Sequence, residues 1–361
     1  MQDIAVSRWL SPLMAFCLSF IIIATLAPVT GIQVERQMDF WLLWLGTMLI
    51  LALPLCYLEI ALAKRSKTTA LQALSGLTRD ADTSQRWRIV GWLAVVFIPF
   101  LAGGMLNSSA VLLEQFTAQG VQLPILLAGV SVAAFLLSFL LRQLLVLTGV
   151  VAVIAAVVLS KILGTPVQAW KLTPVEFSEW GNATVLALVA SGLGMGLYWQ
   201  STLAQLSQQD QATKTVLPIW IAQLLAVVVF SFFAANAQIP VIVLTVAVVM
   251  TAAFLLQMAR EQLQQRQLSI IVQWLILLAA VLVWFIPLAS SFFYTLIMLW
   301  GLIICLIYAI FVGWIMKISH LRKAMNFSSE AFYNIWRIMV RIVLPLAIVT
   351  AIIAVAGQLI G

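Results

Sequence analysis

Side chains able to do acid–base, nucleophilic or metal chemistry are scarce in this chain and poorly placed for it. Of 361 residues only 12 are acidic and 19 basic, with three cysteines and one histidine. Cys17, Cys56 and Cys305 each lie inside an apolar run, where a thiol packs as a small hydrophobe rather than as a disulfide or a metal ligand. His320 sits in the basic stretch KISHLRKAM and reads as a solvated loop residue. No acid–base pair, nucleophile constellation or ligand cluster falls within the apolar runs, so an enzyme is not expected, nor is a metal or a cofactor. What the runs do offer is backbone chemistry. In SGLGMG, Ser191 is followed by Gly192, Gly194 and Gly196. Such a cluster lowers the cost of breaking a helix. A break exposes amides and carbonyls, and the N-terminus of the half-helix beyond it can receive a carboxylate. The spacing of Gly192 and Gly196 serves close helix packing equally well, and the glycines alone leave both uses open.

The elements that would position these groups are membrane helices. The chain is 64% hydrophobic and 9% charged, with a mean hydropathy of +1.11. Its apolar residues form continuous runs, each near the roughly 20 residues that cross a bilayer as a helix. They do not alternate as in a β-barrel. The expected fold is an all-α polytopic membrane protein, one transmembrane domain over residues 1–361 with the lipid bilayer as its solvent. Eleven candidate helices run over about 9–30, 40–63, 89–114, 123–141, 143–163, 182–204, 215–236, 240–259, 268–287, 291–317 and 333–358. The first run shows no clear small-residue cleavage site, so an uncleaved span is expected rather than a signal peptide.

The cations orient the helices. The loop between the second and third runs holds Lys64, Arg65, Lys67, Arg79, Arg86 and Arg88, and such residues stay cytoplasmic. With the N-terminus inside, 16 of the 19 cations fall at cytoplasmic ends. Arg36, Lys161 and Lys171 fall outside, and an odd number of spans leaves Gly361 outside as well. The net charge of +7 therefore follows from topology, and no nucleic-acid partner is expected. Trp41, Trp87, Trp170, Trp180 and Trp336 lie near span ends, where indole suits the interface.

Three blocks carry a resemblance to a known family. LPLCYLEIALAKR with WRIVGWL is similar to the second span, basic loop and third span of the neurotransmitter:sodium symporter family. TPVEFSEWGNATVLALVASGLGMGLYW resembles that family's sixth span, and YAIFVGWIMKISHLRKAMNFSSEAFYNIWRIMVRIVLPL its tenth and eleventh. The resemblance implies a 5+5 inverted repeat, residues 9–163 and 182–317, plus an additional helix over 333–358. It also implies a bacterial cytoplasmic membrane and a mid-bilayer site where the first and sixth spans break. Candidate substrate-binding residues are Met105, Asn107, Ser108, Ser191, Gly192, Gly194, Gly196 and Thr251, with Gln223 nearby. Buried amides such as Gln223 and Gln273 often do no more than tie helices together.

The chain departs from the family where sodium would bind. In FIIIATLAPVTG, Ile21, Ile22 and Ile23 stand in place of a Gly- and Asn-containing break, and Leu26 in place of the gating arginine. Isoleucine offers no side-chain oxygen, whereas a hard cation needs several. Met105 replaces a substrate-contacting tyrosine, Ala190 and Gly192 take serine positions, and Ala252 follows Thr251 where the family has a second hydroxyl. Tyr308 stands where the tenth span often has a glutamate. Glu59 keeps the family's Leu-Glu and is expected to be structural. The NAQIP segment between the seventh and eighth spans is too short for the usual lid. The break is therefore expected in the sixth span and not in the first. Two functions fit: transport of an amino acid or related small amphipathic solute with altered or lost sodium coupling, or a non-transporting scaffold, receptor or regulatory subunit derived from a transporter.

Overall fold

The computed structural model describes residues 2–28, 37–117, 120–163, 169–206, 211–234, 239–316, 319–327 and 329–358, and of residues 2–8, 204–206 and 320 it describes the backbone alone. The short NAQIP segment, Gly31, Arg36 and Gly361 fall wholly or partly outside them.

The chain is helical throughout, with one isolated bridge, Gln37 to Lys171, among the described residues. In order the helices are α1 (Gln2–Leu26), α2 (Met38–Ser66), α3 (Ala70–Asp80), α4 (Gln85–Thr117), α5 (Leu123–Leu137), α6 (Arg142–Leu163) and α7 (Phe177–Leu188). There follow α8 (Leu197–Leu206), α9 (Thr213–Ala234), α10 (Val241–Gln265), α11 (Ile270–Phe285), α12 (Ser290–Ile315), α13 (Ser319–Met325) and α14 (Glu330–Gly357). Eight are long and apolar enough to cross a membrane, α5 and α11 are shorter apolar helices, and α7 with α8 forms one interrupted span. Together these match in number the eleven spans expected from the sequence.

One element was not anticipated. The basic loop holds the helix α3, which buries Ala70, Leu71, Ala73, Leu74, Leu77 and Thr78 on one side. That spacing is an amphipathic helix face, set within a polar composition that hides it. Gly91 of α4 admits α3 closely, because a Cβ there would lie 2.7 Å from Leu74 Cδ1.

Four wide, π-helical turns interrupt the long helices, at Met48–Ala52, Phe230–Ala234, Phe311–Ile315 and Met339–Val343. Two of them precede a proline, Pro54 and Pro345. Proline cannot donate to the carbonyl four residues back and its ring crowds that carbonyl. A wide turn relieves the crowding. Trp220 Nε1 donates to the Met48 carbonyl at 2.9 Å, and Trp336 Nε1 to that of Pro54 at 3.1 Å.

The inner layer is built by α1 against α6 and α9, α2 against α7 and α8, and α10 against α4, α5 and α6. The face of α14 against α7 and α12 completes one flank. Ile21, Ile22 and Ile23 are fully buried in this layer, and residues 190–192 are buried with them.

Candidate functional site

The site begins with a missing stretch of helix. α7 ends at Leu188 and α8 starts at Leu197, with turns between them. Gly192, Gly194 and Gly196 have φ of 72°, 78° and 72°, the left-handed region that disfavours residues with a Cβ. Space is short as well. A Cβ on Gly194 would lie 2.9 Å from Cys305 Sγ, and one on Gly196 2.6 Å from Ala70 Cβ. The glycines thus serve both a helix break and close packing, uses that the sequence left as alternatives.

A break inside a membrane must satisfy its backbone within the protein. Part of this is local: Leu193 N donates to Leu188 O at 3.1 Å and Gly192 N to Val189 O at 3.0 Å. The rest comes from side chains, most of them on other helices. The Ser191 carbonyl accepts from Tyr198 Oη at 2.6 Å and from Gln223 Nε2 at 3.1 Å. Cys305 Sγ reaches Leu193 O at 3.7 Å, and Gln262 Nε2 reaches Met195 O at 3.5 Å. On the other side, Glu59 of α2 accepts from Gly194 N at Oε2 and from Trp199 N at Oε1, both at 3.2 Å. Trp199 lies in the first turn of α8, so the carboxylate faces the positive end of that half-helix. Trp199 Nε1 in turn donates to Thr68 O at 2.8 Å. Leu55, Leu58, Glu59, Leu62, Gly194, Gly196, Trp199 and Tyr308 leave about 10 Å³ for the centre of a water molecule, room for about one water.

The first span has no counterpart to this break. α1 is continuous through Ile21, Ile22 and Ile23. Thr25 Oγ1 folds back onto the carbonyls of Ile21 and Ile22, at 3.0 Å each, so those oxygens are occupied inside their own helix.

The residues picked out in the sequence fall into three neighbourhoods. Ser191, Gly192, Gly194 and Gly196 form the break, with Ser191 Oγ 3.6 Å from Met48 Sδ. Thr251 of α10 faces α1, its Oγ1 3.8 Å from Cys17 Sγ. Met14, Leu18, Leu145, Val146 and Phe254 surround that contact. A thiol and one hydroxyl among apolar side chains do not fit a hard cation. Asn107 turns to α12 instead, donating from Nδ2 to Tyr294 Oη at 3.3 Å, while Tyr294 donates to Gly104 O at 3.0 Å. Met105 is buried on the same helix, and Ser108 is partly exposed. Gln223 reaches the break, whereas Gln273 donates to Leu268 O within its own segment.

Sequence reading missed Tyr198 and understated Glu59. The signal for Glu59 was available, since an ionisable residue inside a membrane span marks a functional site by default. Tyr198 carried none, because its role depends on the turn that brings its hydroxyl back to Ser191.

No family model matches the sequence, and no curated protein matches it. Solved structures do. The chain is similar to MhsT in complex with L-phenylalanine, at 16% identity and a TM-score of 0.64, over 96% of this chain and 98% of that one. It is also similar to the manganese transporter of Eremococcus coleocola in complex with an aromatic bis-isothiourea substituted compound. There the identity is 15% and the TM-score 0.62, over 99% of this chain and 88% of the other. A mutant form of that manganese transporter aligns at 13% identity with a TM-score of 0.54, over 98% of this chain and 94% of the other. The chain is an all-α polytopic integral membrane protein that shares its fold with MhsT and with this manganese transporter.

Proposed function

We propose that this protein is a secondary transporter for an amino acid or related small amphipathic solute, working without sodium held between α1 and α10. The observation that carries the reading is the break between α7 and α8: it is costly to keep in a membrane, and helix packing alone does not require it. Met105, Asn107, Ser108, Ser191, Gly192, Gly194, Gly196 and Thr251 are the proposed substrate-binding residues. MhsT was solved with L-phenylalanine, which supports a solute of that kind. A divalent-metal cargo is less well supported. Such ions favour carboxylate and imidazole ligands, and among the described residues no group of three or more His, Cys, Asp or Glu could hold one. The proposed setting is a bacterial cytoplasmic membrane, N-terminus inside and C-terminus outside. The proposed halves of the inverted repeat are residues 9–163 and 182–317.

A second reading has its own support. Glu59, Tyr198 and Gln223 occupy the polar atoms that the break would offer a solute. A transporter-derived scaffold, receptor or regulatory subunit would keep the fold and fill the site in this way. Thermal unfolding of the purified protein across a panel of amino acids separates the two, because binding to the native state raises stability by mass action. Transport predicts stabilisation by at least one of them, equal in Na⁺, K⁺ and choline. Stabilisation that requires Na⁺ would overturn the sodium-independent reading, and no stabilisation by any would favour the scaffold.

A further inference from the structure

Among the described residues, Glu59 is the one charged side chain in the buried set. It lies against the break and the first turn of α8, and among the described residues no cationic side chain pairs with it. The titratable groups that face it are Cys56 on α2, Tyr198 on α8, and Cys305 and Tyr308 on α12. None is a base that could neutralise it. A carboxylate kept dry without a counter-ion is costly. Here two opposing influences bear on it: removal from water acts against the charge, while two backbone N–H groups and a helix N-terminus act for it. With the two influences opposed, a small change in the surroundings can tip such a group between its two protonation states.

We infer that Glu59 is a proton-binding site that couples protonation to release of the α7–α8 break, an inference that rests on the transport reading above. In the ionised state each oxygen holds one amide, so Gly194 and the first turn of α8 are pinned to α2. A proton taken from water converts one oxygen to an O–H donor, which is a much weaker acceptor for its amide. Tyr308 Oη has no hydrogen-bond partner among the described residues, and Tyr308 lines the same void. It supplies the acceptor that the new O–H needs. The amide so released is free to bind a solute carboxylate, and the span is free to move. Loss of the proton to water restores the pinned state, so the cycle consumes nothing else. A proton thereby takes the coupling role for which α1 and α10 lack oxygens.

The test uses the purified full chain in lipid nanodiscs without added solute. Infrared difference spectra are followed from alkaline to acidic pH, with hydrogen exchange at the amides of Gly194 and Trp199 read in parallel. The expected result is a carboxylic-acid carbonyl band that appears on acidification and is missing in Glu59→Gln. Exchange at one of the two amides, corrected for intrinsic rates, should rise about tenfold or more over the same range, as loss of one charge-assisted hydrogen bond implies. In Glu59→Gln that exchange should be fast and independent of pH. If the variant does not fold, the wild-type exchange profile decides alone: protection unchanged across the range overturns the proposal. A titrating band that survives in Glu59→Gln overturns it too. Amino-acid stabilisation without Glu59 titration would sink this proposal alone, whereas titration without any stabilising amino acid would sink the transport reading alone.

Discussion

Residues 21–23 of α1 and residues 189–196 of the broken span lie in the same buried layer and solve the backbone problem in opposite ways. Three isoleucines keep α1 helical, so each carbonyl there is satisfied from within, aided by Thr25. Three glycines open the other span, and its polar atoms are met by Glu59, Tyr198, Gln223, Cys305 and Gln262. The first region is self-sufficient and apolar. The second depends on side chains from α2, α9, α10 and α12 and on a tyrosine of its own span. A ligand, a proton or a motion has something to act on only in the second. The pairing of breaks that the fold permits is therefore lopsided here.

Substitutions can test this contrast. Ile22→Gly should have the largest effect, because it removes a fully buried side chain and adds a poor helix former to α1. The expected loss is about 3–6 kcal/mol in reversible unfolding in detergent. A loss below about 1 kcal/mol would mean that α1 does not depend on its isoleucines. Gly194→Val comes next. It places a Cβ at positive φ and against Cys305 Sγ, for about 2–5 kcal/mol. If the variant still folds, a transporter should lose amino-acid stabilisation while a scaffold keeps its partner role. Indifference to valine would show that the left-handed turn is not required.

Tyr198→Phe leaves the Ser191 carbonyl to Gln223 alone and should cost about 1 kcal/mol. Faster hydrogen exchange confined to the residues around the break would mark the loss as local, and uniform acceleration would contradict that. The smallest effect is expected for Thr25→Val. Its hydroxyl bonds only carbonyls that are already used in the helix, so stability should change by less than about 0.5 kcal/mol. A larger change would mean that the α1 carbonyls need the extra donor, and the contrast between the two spans would weaken.

The fold was legible because its signals are short-range. Apolar runs set the spans, the crowd of cations between α2 and α4 set the expected sidedness, and SGLGMG beside FIIIATL showed which span would break. These depend on each residue's own preference and that of neighbours a few positions away. The helix α3 escaped because its apolar face is one-sided and its composition is that of a loop. The site was only partly legible. The glycines and Ser191 were identified together, but Asn107 is turned to Tyr294 and Thr251 to Cys17, and Glu59 emerged as the centre. Those partners are 187, 234 and 135 positions apart in the chain. With no water in the bilayer core to satisfy a stray polar atom, each must find its partner inside the protein. Which one it finds is decided by how the helices rotate against each other, and that is set by packing across the whole bundle rather than by any local stretch of sequence.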